Sequence, residues 1–467
     1  MIVISYTLIK RRPSRLVDPL NGNLFKSVLS FAIPVMLTGL LQLAFNAADM
    51  IIVGQYAGSS AVGQVGATGS LINLLVNLFI GFSVGVSVGV SKEYGAKNNE
   101  NISKYIHTAM AVAIVAGILC SIIGFISSKQ LLILMGTPES HLGGSTLYMR
   151  IYFLAMPATV IYNFGAAALR ALGDSKTPLM ILTSAGVINV IFNIIFVCTF
   201  GMDVDGVATA TVISQYIAMI WIIIHLSRSK GPQRLYLKKI GFDKKCTASI
   251  IAVGLPAGIS GTLFSLSNVI AQSSINFFGG TVIDGNAAAA SIEGFLYTAS
   301  NSFHQAAITF IGQNRGAGKY NRILKVLGVC MTYAIGFEII MCIFMCIFRY
   351  GLLGIYIKDS PDAIELGAMR MLILCTLHFL CAAMDVMNGA LRGLGSSLVP
   401  TIISITTVCG FRVLWLSTVF EHYKTPQTIY AVYPISWAMS AVALGALFIV
   451  VYRSQIKKFG ISDKNEG

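Results

Sequence analysis

The sequence predicts an all-α polytopic membrane protein of about twelve transmembrane helices, arranged as two homologous six-helix lobes. Three observations carry that prediction. Of 467 residues, 55% are hydrophobic and only 11% charged, against about 25% charged in an ordinary soluble domain. Apolar stretches of about 20 residues, each enough to cross the hydrocarbon core as a helix, recur from around Leu29 to Tyr452. The chain also repeats itself at an offset of 222 positions, pairing Pro34 with Pro256, Gly58 with Gly280, Arg170 with Arg392, Gly173 with Gly395 and Pro178 with Pro400.

Stretches such as Met110 to Ile126 and Val326 to Phe348 are apolar on every face, whereas barrel strands alternate in polarity over about ten residues. Helices satisfy every backbone group within one segment, and they are the expected spans. The best repeated block is ALRALGDSKTP against ALRGLGSSLVP, with seven identities in eleven positions; a second, YGAKNNENISK against RGAGKYNRILK, needs a one-residue shift. The expected organisation is a tail at 1–23, a first lobe at 24–228, a basic linker at 229–245, a second lobe at 246–456 and a tail at 457–467. Six spans per half leave both halves in one orientation, related by a pseudo-twofold axis along the membrane normal.

The net charge of +14 follows topology. Basic residues crowd the N-terminal segment (Lys10, Arg11, Arg12, Arg15), the loops after spans 2 and 8, the linker (Lys230, Arg234, Lys238, Lys239) and the C-terminus, while the alternate loops are neutral or acidic, with Asp203, Asp205 and Asp284. By the positive-inside rule both termini and the linker are cytoplasmic, in a multi-pass protein of the cell membrane. The excess of Lys and Arg is an orientation signal, and no nucleic-acid partner is expected. Of nine cysteines, all but Cys246 lie in apolar segments and none has metal or redox spacing, so they read as packing residues. Met1 to Ile9 is too short and weakly apolar for a span and is followed by no cleavage site.

No element for ATP hydrolysis is present: in GQNRGAGKY the phosphate-loop spacing is one residue too long, Tyr320 replaces the hydroxyl ligand, and an apolar helix precedes it. Hydrolase patterns are absent too, so the protein is expected to be no enzyme and to draw on an ion gradient, with no cofactor beyond Na⁺ or H⁺. Span 2 carries Gly81, Gly85 and Gly89 with Ser83, Ser87 and Ser91; these small faces suit close helix packing, or a moving contact between halves. Pro34 and Pro256 hold matching places in spans 1 and 7, where bending would serve gating.

An acidic residue within a span costs about 2.5–3.5 kcal/mol on insertion scales and must face protein or water. Asp49 shares one face of span 1 with Asn46 and Gln42. Span 5 places Asn189 and Asn193 one turn apart, either as interhelical glue or as two amide oxygens for a cation. Thr211, opening span 6, adds a hydroxyl. One carboxylate with neutral oxygens suits Na⁺; without a cation, burial favours the neutral carboxyl, and Asp49 could carry H⁺ instead. In the second half Ala271 matches Asp49, so the ion site should be one-sided. Glu293 and Asp385 are the acidic cavity candidates there, with His304 and His378 near in sequence, and Glu338 is a further candidate or a partner to another helix.

These motifs resemble those of the multidrug and toxic compound extrusion (MATE) transporters along nearly the whole chain. The resemblance rests on AIPVMLTGLLQLAFNAADMIIVG, the GQNRGAGK and YGAKN loops, the two ALR blocks and DGVATATVISQ. It implies twelve helices in two lobes and efflux of organic, often cationic compounds against entering Na⁺ or H⁺. In the DinF-type branch the first-lobe cation site uses an Asp in span 1, an Asn and an Asp four apart in span 5, and a Thr in span 6, which Asp49, Asn189, Asn193 and Thr211 resemble. Asn193 departs from that pattern, replacing the second Asp. The NorM-like branch relies on a Glu in span 7, where this chain has Phe264 or Ser265, and an Asp in span 10, about one turn from Asp385. The expected protein is therefore a monomeric secondary exporter of small organic molecules in contact with membrane lipids. The alternative is a lipid or lipid-linked sugar flippase, which would call for Arg or Lys inside the cavity, where the sequence offers them mainly at helix ends.

Overall fold

The computed structural model describes residues 18–357 and 360–458. The basic cluster Lys10, Arg11, Arg12 and Arg15 and the tail from 459 lie outside the described residues. The first half consists of α1 (Leu24–Ile52), α2 (Ser59–Gly95), α3 (Asn99–Leu134), α4 (Glu139–Leu154), α5 (Met156–Ala171), α6 (Lys176–Asn193) and α7 (Val204–Arg228). The second consists of α8 (Lys244–Asn276), α9 (Gly280–Gly316), α10 (Tyr320–Ile347), α11 (Arg349–Tyr356), α12 (Pro361–Leu377), α13 (Phe379–Gly393), α14 (Leu398–Ser404), α15 (Phe411–His422) and α16 (Pro426–Lys458). The repeat is visible in the helix starts: Lys176 and Leu398, and Val204 and Pro426, are each 222 positions apart.

Local chemistry sets the boundaries. Asn23, Asn98, Asp243 and Ser360 accept hydrogen bonds from backbone amides at the starts of α1, α3, α8 and α12, satisfying donors that have no partner within the helix. At Asp243 the Cys246 amide, 2.9 Å away, holds the carboxyl below its ordinary range. The repeated ALR blocks are helix stops. Gly173 and Gly395 sit at φ +91° and +81°, and the next amides, of Asp174 and Ser396, reach back to the Leu169 and Leu391 carbonyls at 3.0 Å. This left-handed closure suits glycine and explains its place in both copies.

Among the described residues, nine helices are long and apolar enough to cross a membrane, or eleven if α4 with α5, bent by 46°, and α12 with α13, bent by 49°, each count as one span. The sequence expectation of about twelve is completed by α9, which is 37 residues long but not among those apolar spans. Its polar residues, including Asn286, Glu293, His304, Gln305 and Asn314, are buried within the protein, so a window of mean hydropathy undervalues it. Elsewhere the lipid-facing surfaces are apolar, as Leu119, Ile122, Ile123 and Ile126 on α3 illustrate.

The halves meet along α2 and α8. A methyl group added to Gly85 would lie 2.2 Å from the Ile250 carbonyl oxygen, and one on Gly254 would lie 2.2 Å from that of Phe82. At the ends of α2 and α9 the approach is closer: a Cβ on Gly95 or Gly316 would come within 1.9 Å of the Gln313 or Lys92 carbonyl oxygen. Gly81, Gly85 and Ser91 of span 2 therefore face the other half, while Gly89 packs on Tyr105 and Ser87 on the Ala167 carbonyl within the first half. The contact is tightest at the end of the bundle bearing the chain termini and basic linker. There the linker is tied to the first half, with the Tyr236 amide 3.0 Å from His107 Nε2. The segment before α1 is tied to the second half, where Lys319 Nζ donates to the Leu20 carbonyl at 3.0 Å and Arg322 donates to the Pro19 and Gly22 carbonyls.

Candidate functional site

The first half encloses a cavity of about 330 Å³ toward the end remote from the basic loops, lined by Gln42, Asn46, Asp49, Asn189 and Thr211 among others. Asp49 stands in the last turn of α1, just before a wider π-helical turn at Val53–Ala57, and Asn193 ends α6 just before another at Ile194–Thr199. Such turns recur at functional sites because the extra residue redirects side chains. Here they flank the two residues whose side chains meet.

Asn193 Nδ2 donates to Asp49 Oδ1 at 2.5 Å and, at 3.4 Å, to Asn189 Oδ1. Asn189 Nδ2 in turn lies 3.4 Å from Thr211 Oγ1, which donates to the Val207 carbonyl at 3.1 Å. The four residues thus form one chain across α1, α6 and α7. Asn193 is fully buried, and its Oδ1 has no partner. A carboxylate opposite the amide fixes this orientation, because the other would place two acceptors face to face. Asp49 is the single charged residue lining the cavity. All available ligands are oxygens: one carboxylate, two amides and a hydroxyl, a set suited to a hard cation.

Sequence reasoning missed Tyr148 and Tyr152, which also line this cavity. Their four-residue spacing on α4 was the available signal.

A second cavity, of about 370 Å³, lies between α2 and the second half and is lined by Asn77, Phe264, Asn268, His304, Asp385 and Arg392 among others. Asp385 accepts from Ser300 at 3.1 Å, while His304 Nδ1 lies 2.7 Å from the Asp385 carbonyl oxygen. Glu293 is placed differently from the sequence expectation. It lines neither of these cavities and is 1% exposed, held in two parallel contacts by Arg370, at 2.7 and 3.1 Å. A buried carboxylate needs such a partner, and sequence spacing did not reveal one 77 positions away. Glu338 is likewise paired, 2.5 Å from His378 Nδ1. A larger correction concerns basic residues. Arg370, Arg392 and Arg412 are all buried within the second half, where the sequence had suggested bases mainly at helix ends.

A two-halved helical bundle with polar cavities in its interior has the architecture of a membrane transporter. The MatE family profile matches residues 34–195 and 256–416, once in each half. The chain belongs to the MatE family, the multidrug and toxic compound extrusion transporters. It is 28% identical over 447 residues to a probable multidrug resistance protein, YoeA, of Bacillus subtilis, covering 93% of this chain and 95% of that one. A second Bacillus subtilis protein, the probable multidrug resistance protein YpnP, is 25% identical over 388 residues, covering 83% and 86%. Among solved structures, the outward-facing conformation of a multidrug resistance MATE family transporter of the MOP superfamily superposes with a TM-score of 0.88 at 19% identity, covering 96% of this chain and all of that one. That likeness confirms the two-lobed helical fold.

Proposed function

We propose that the protein exports organic compounds across the cell membrane by antiport with Na⁺ or H⁺, with Asp49 as the coupling residue and the basic end of the bundle cytoplasmic. The observation that carries this reading is the lone carboxylate of the first cavity, held by a donor that a cation would displace. In the present arrangement the Asn193 amide neutralises part of the Asp49 charge. When Na⁺ arrives, rotation of that amide presents Oδ1 to the ion beside Asp49, Asn189 and Thr211. When H⁺ arrives, the protonated carboxyl donates to the same oxygen. Either event exchanges an amide donor for an acceptor and so replaces the contact between α6 and α1 by one of different geometry. An ion drives transport only through different affinities for two states, and this exchange supplies the difference.

The relatives' names, which refer to multidrug resistance, support small organic substrates. The tight contact of the lobes at the basic end, with the first cavity toward the other, supports an outward-facing state given cytoplasmic termini. The test is efflux of a fluorescent organic cation from proteoliposomes under an imposed Na⁺ or H⁺ gradient, comparing the parent with Asp49→Asn. Gradient-driven efflux lost in the variant is expected, and the effective gradient identifies the ion. Efflux undiminished in the variant would move coupling away from Asp49, and no response of the parent to either gradient would remove the antiport reading for that substrate.

A further inference from the structure

The buried arginines of the second half differ in how they are neutralised. Arg370 has Glu293 and also donates to Asn286. Arg412, 1% exposed, has no carboxylate within ion-pairing distance among the described residues. Its Nη1 donates to Asn268 Oδ1 at 2.8 Å. Its guanidinium carbon lies 4.2 Å from the centre of the Tyr433 ring and 5.3 Å from that of Phe264. Nε and Nη2 have no partner. Ring faces attract a cation but accept no strong hydrogen bond, so a guanidinium with two idle donors inside a membrane lobe calls for an anion.

The place of Arg412 in the repeat gives that need a meaning. At the 222-residue offset, Asn46 corresponds to Asn268, Asp49 to Ala271, Val190 to Arg412 and Thr211 to Tyr433. The second half therefore keeps Asn46 of the first cavity wall as Asn268, loses the acid and both amides of the four-residue chain, with Phe411 and Trp415 matching Asn189 and Asn193, and gains a base one residue from the position matching Asn189. Phe264 and Asn268, the two side chains in front of Arg412, line the second cavity. Arg392 lines it directly, with its Nη1 3.5 Å from His304 Nε2 and its Nε unpartnered. Asp385 is the single carboxylate of that wall, and it is held by Ser300. The wall carries one guanidinium, Arg392, and one carboxylate, Asp385; Arg412, behind Phe264 and Asn268, adds a second guanidinium with no carboxylate of its own among the described residues.

We propose that the second lobe holds an oxyanion site, formed by Arg412 and Asn268 with Arg392 on the cavity wall, which takes the carboxylate of an organic substrate. The substrates then include anionic and zwitterionic amphipathic compounds beside the organic cations. The assignment of the ligand as a transported substrate rests on the export function proposed above; binding of the oxyanion does not. Entry requires Phe264 to turn aside, after which the idle Nε and Nη2 present the two parallel donors that match a carboxylate.

The test is fluorescence anisotropy with the purified full-length protein in detergent, using tetramethylrhodamine, which bears a free carboxylate, and its methyl ester. The parent is expected to bind the carboxylate form at least about tenfold more tightly than the ester. Arg412→Gln should remove the preference while still binding the ester, which shows that the variant is folded. Arg412→Lys should restore it only in part, since a point charge lacks the planar fork. Competition in the unmutated protein requires no variant: benzoate should displace the dye and benzamide should not. Nanodiscs of phosphatidylcholine with and without phosphatidylglycerol separate the two sources of an oxyanion. Displacement of the dye only when phosphatidylglycerol is present would overturn the substrate assignment in favour of a lipid headgroup. Equal affinity of the parent for acid and ester, or a preference that survives Arg412→Gln, would overturn the site itself. Preserved preference without gradient-driven efflux would leave the site standing and remove the export function instead.

Discussion

Replacing Asn193 by Asp tests how the first cavity handles charge. The amide nitrogen that now donates to Asp49 at 2.5 Å becomes a carboxylate oxygen, and a stabilising contact turns into a repulsion between like charges. At a separation of 4 Å and an effective dielectric constant of 20, such a repulsion is about 4 kcal/mol. The pair relieves it by binding a cation or sharing a proton. If only about a third of that energy appears as cation affinity, binding tightens roughly tenfold. The assay is efflux from proteoliposomes as a function of external Na⁺ at pH 8, where proton competition is weak. Asn193→Asp should lower the half-saturating Na⁺ concentration by about tenfold, and lowering the pH should then inhibit the variant more than the parent, because the second carboxylate adds a proton site. A half-saturating concentration unchanged or raised, in a variant that folds, would refute the view that the Asn193 amide stands where a cation binds.

Other perturbations probe the scaffold. Arg370→Met leaves Glu293 buried without its partner and should cost about 3–5 kcal/mol, while adding Glu293→Met should recover much of the loss; thermal unfolding of both variants in detergent checks the sign. Gly95→Val cannot be accommodated where a Cβ would meet a carbonyl oxygen at 1.9 Å, so the lobes should part at the basic end. Increased labelling there of a cysteine placed at Lys92 would report it, and unchanged labelling in a folded variant would contradict the packing. Gly173→Ala puts a Cβ at φ +91° and should destabilise by about 1 kcal/mol, seen as a lower midpoint in the same unfolding assay.

The parts of the fold legible in the sequence were those set by local physics. Apolar length gave the spans, the ALR blocks marked the duplicated helix stops, and basic loops marked one end of the bundle. The grouping of Asp49, Asn189, Asn193 and Thr211 was legible partly from helical spacing and partly from family resemblance, and the hydrogen-bond chain through them joins three helices. Long-range pairing was not legible. Nothing local ties Glu293 to Arg370 or Arg412 to Asn268, which are 77 and 144 positions apart. The helix α9 was counted as a span from the sequence, and the structure shows why its polar residues are tolerated there: Asn286, Glu293, His304 and Gln305 are buried within the protein. Arg412 was not singled out from the sequence; its burial and its two unpartnered donors are visible only in the structure.

The interface between the halves has properties that suit a part that must move. A contact built from Gly81, Gly85, Gly254 and Gly258 brings backbone against backbone and is held by van der Waals packing and weak polar contacts. Parting it also separates Val84 and Val88 from Val253, Ala257 and Ile308, and Phe31 of α1 from Phe310 of α9, whose ring centres lie 5.2 Å apart, so apolar burial adds to the backbone contacts of the seam. Large side chains are also buried within each half, as with Phe153 and Phe164 in the first and Trp437 and Tyr430 in the second. Those cores resist deformation and move as units. On the coupling proposed for Asp49, a local change at the end of α1 acts on a whole lobe because the rigid core transmits it, and it works against the apolar contacts that cross the seam.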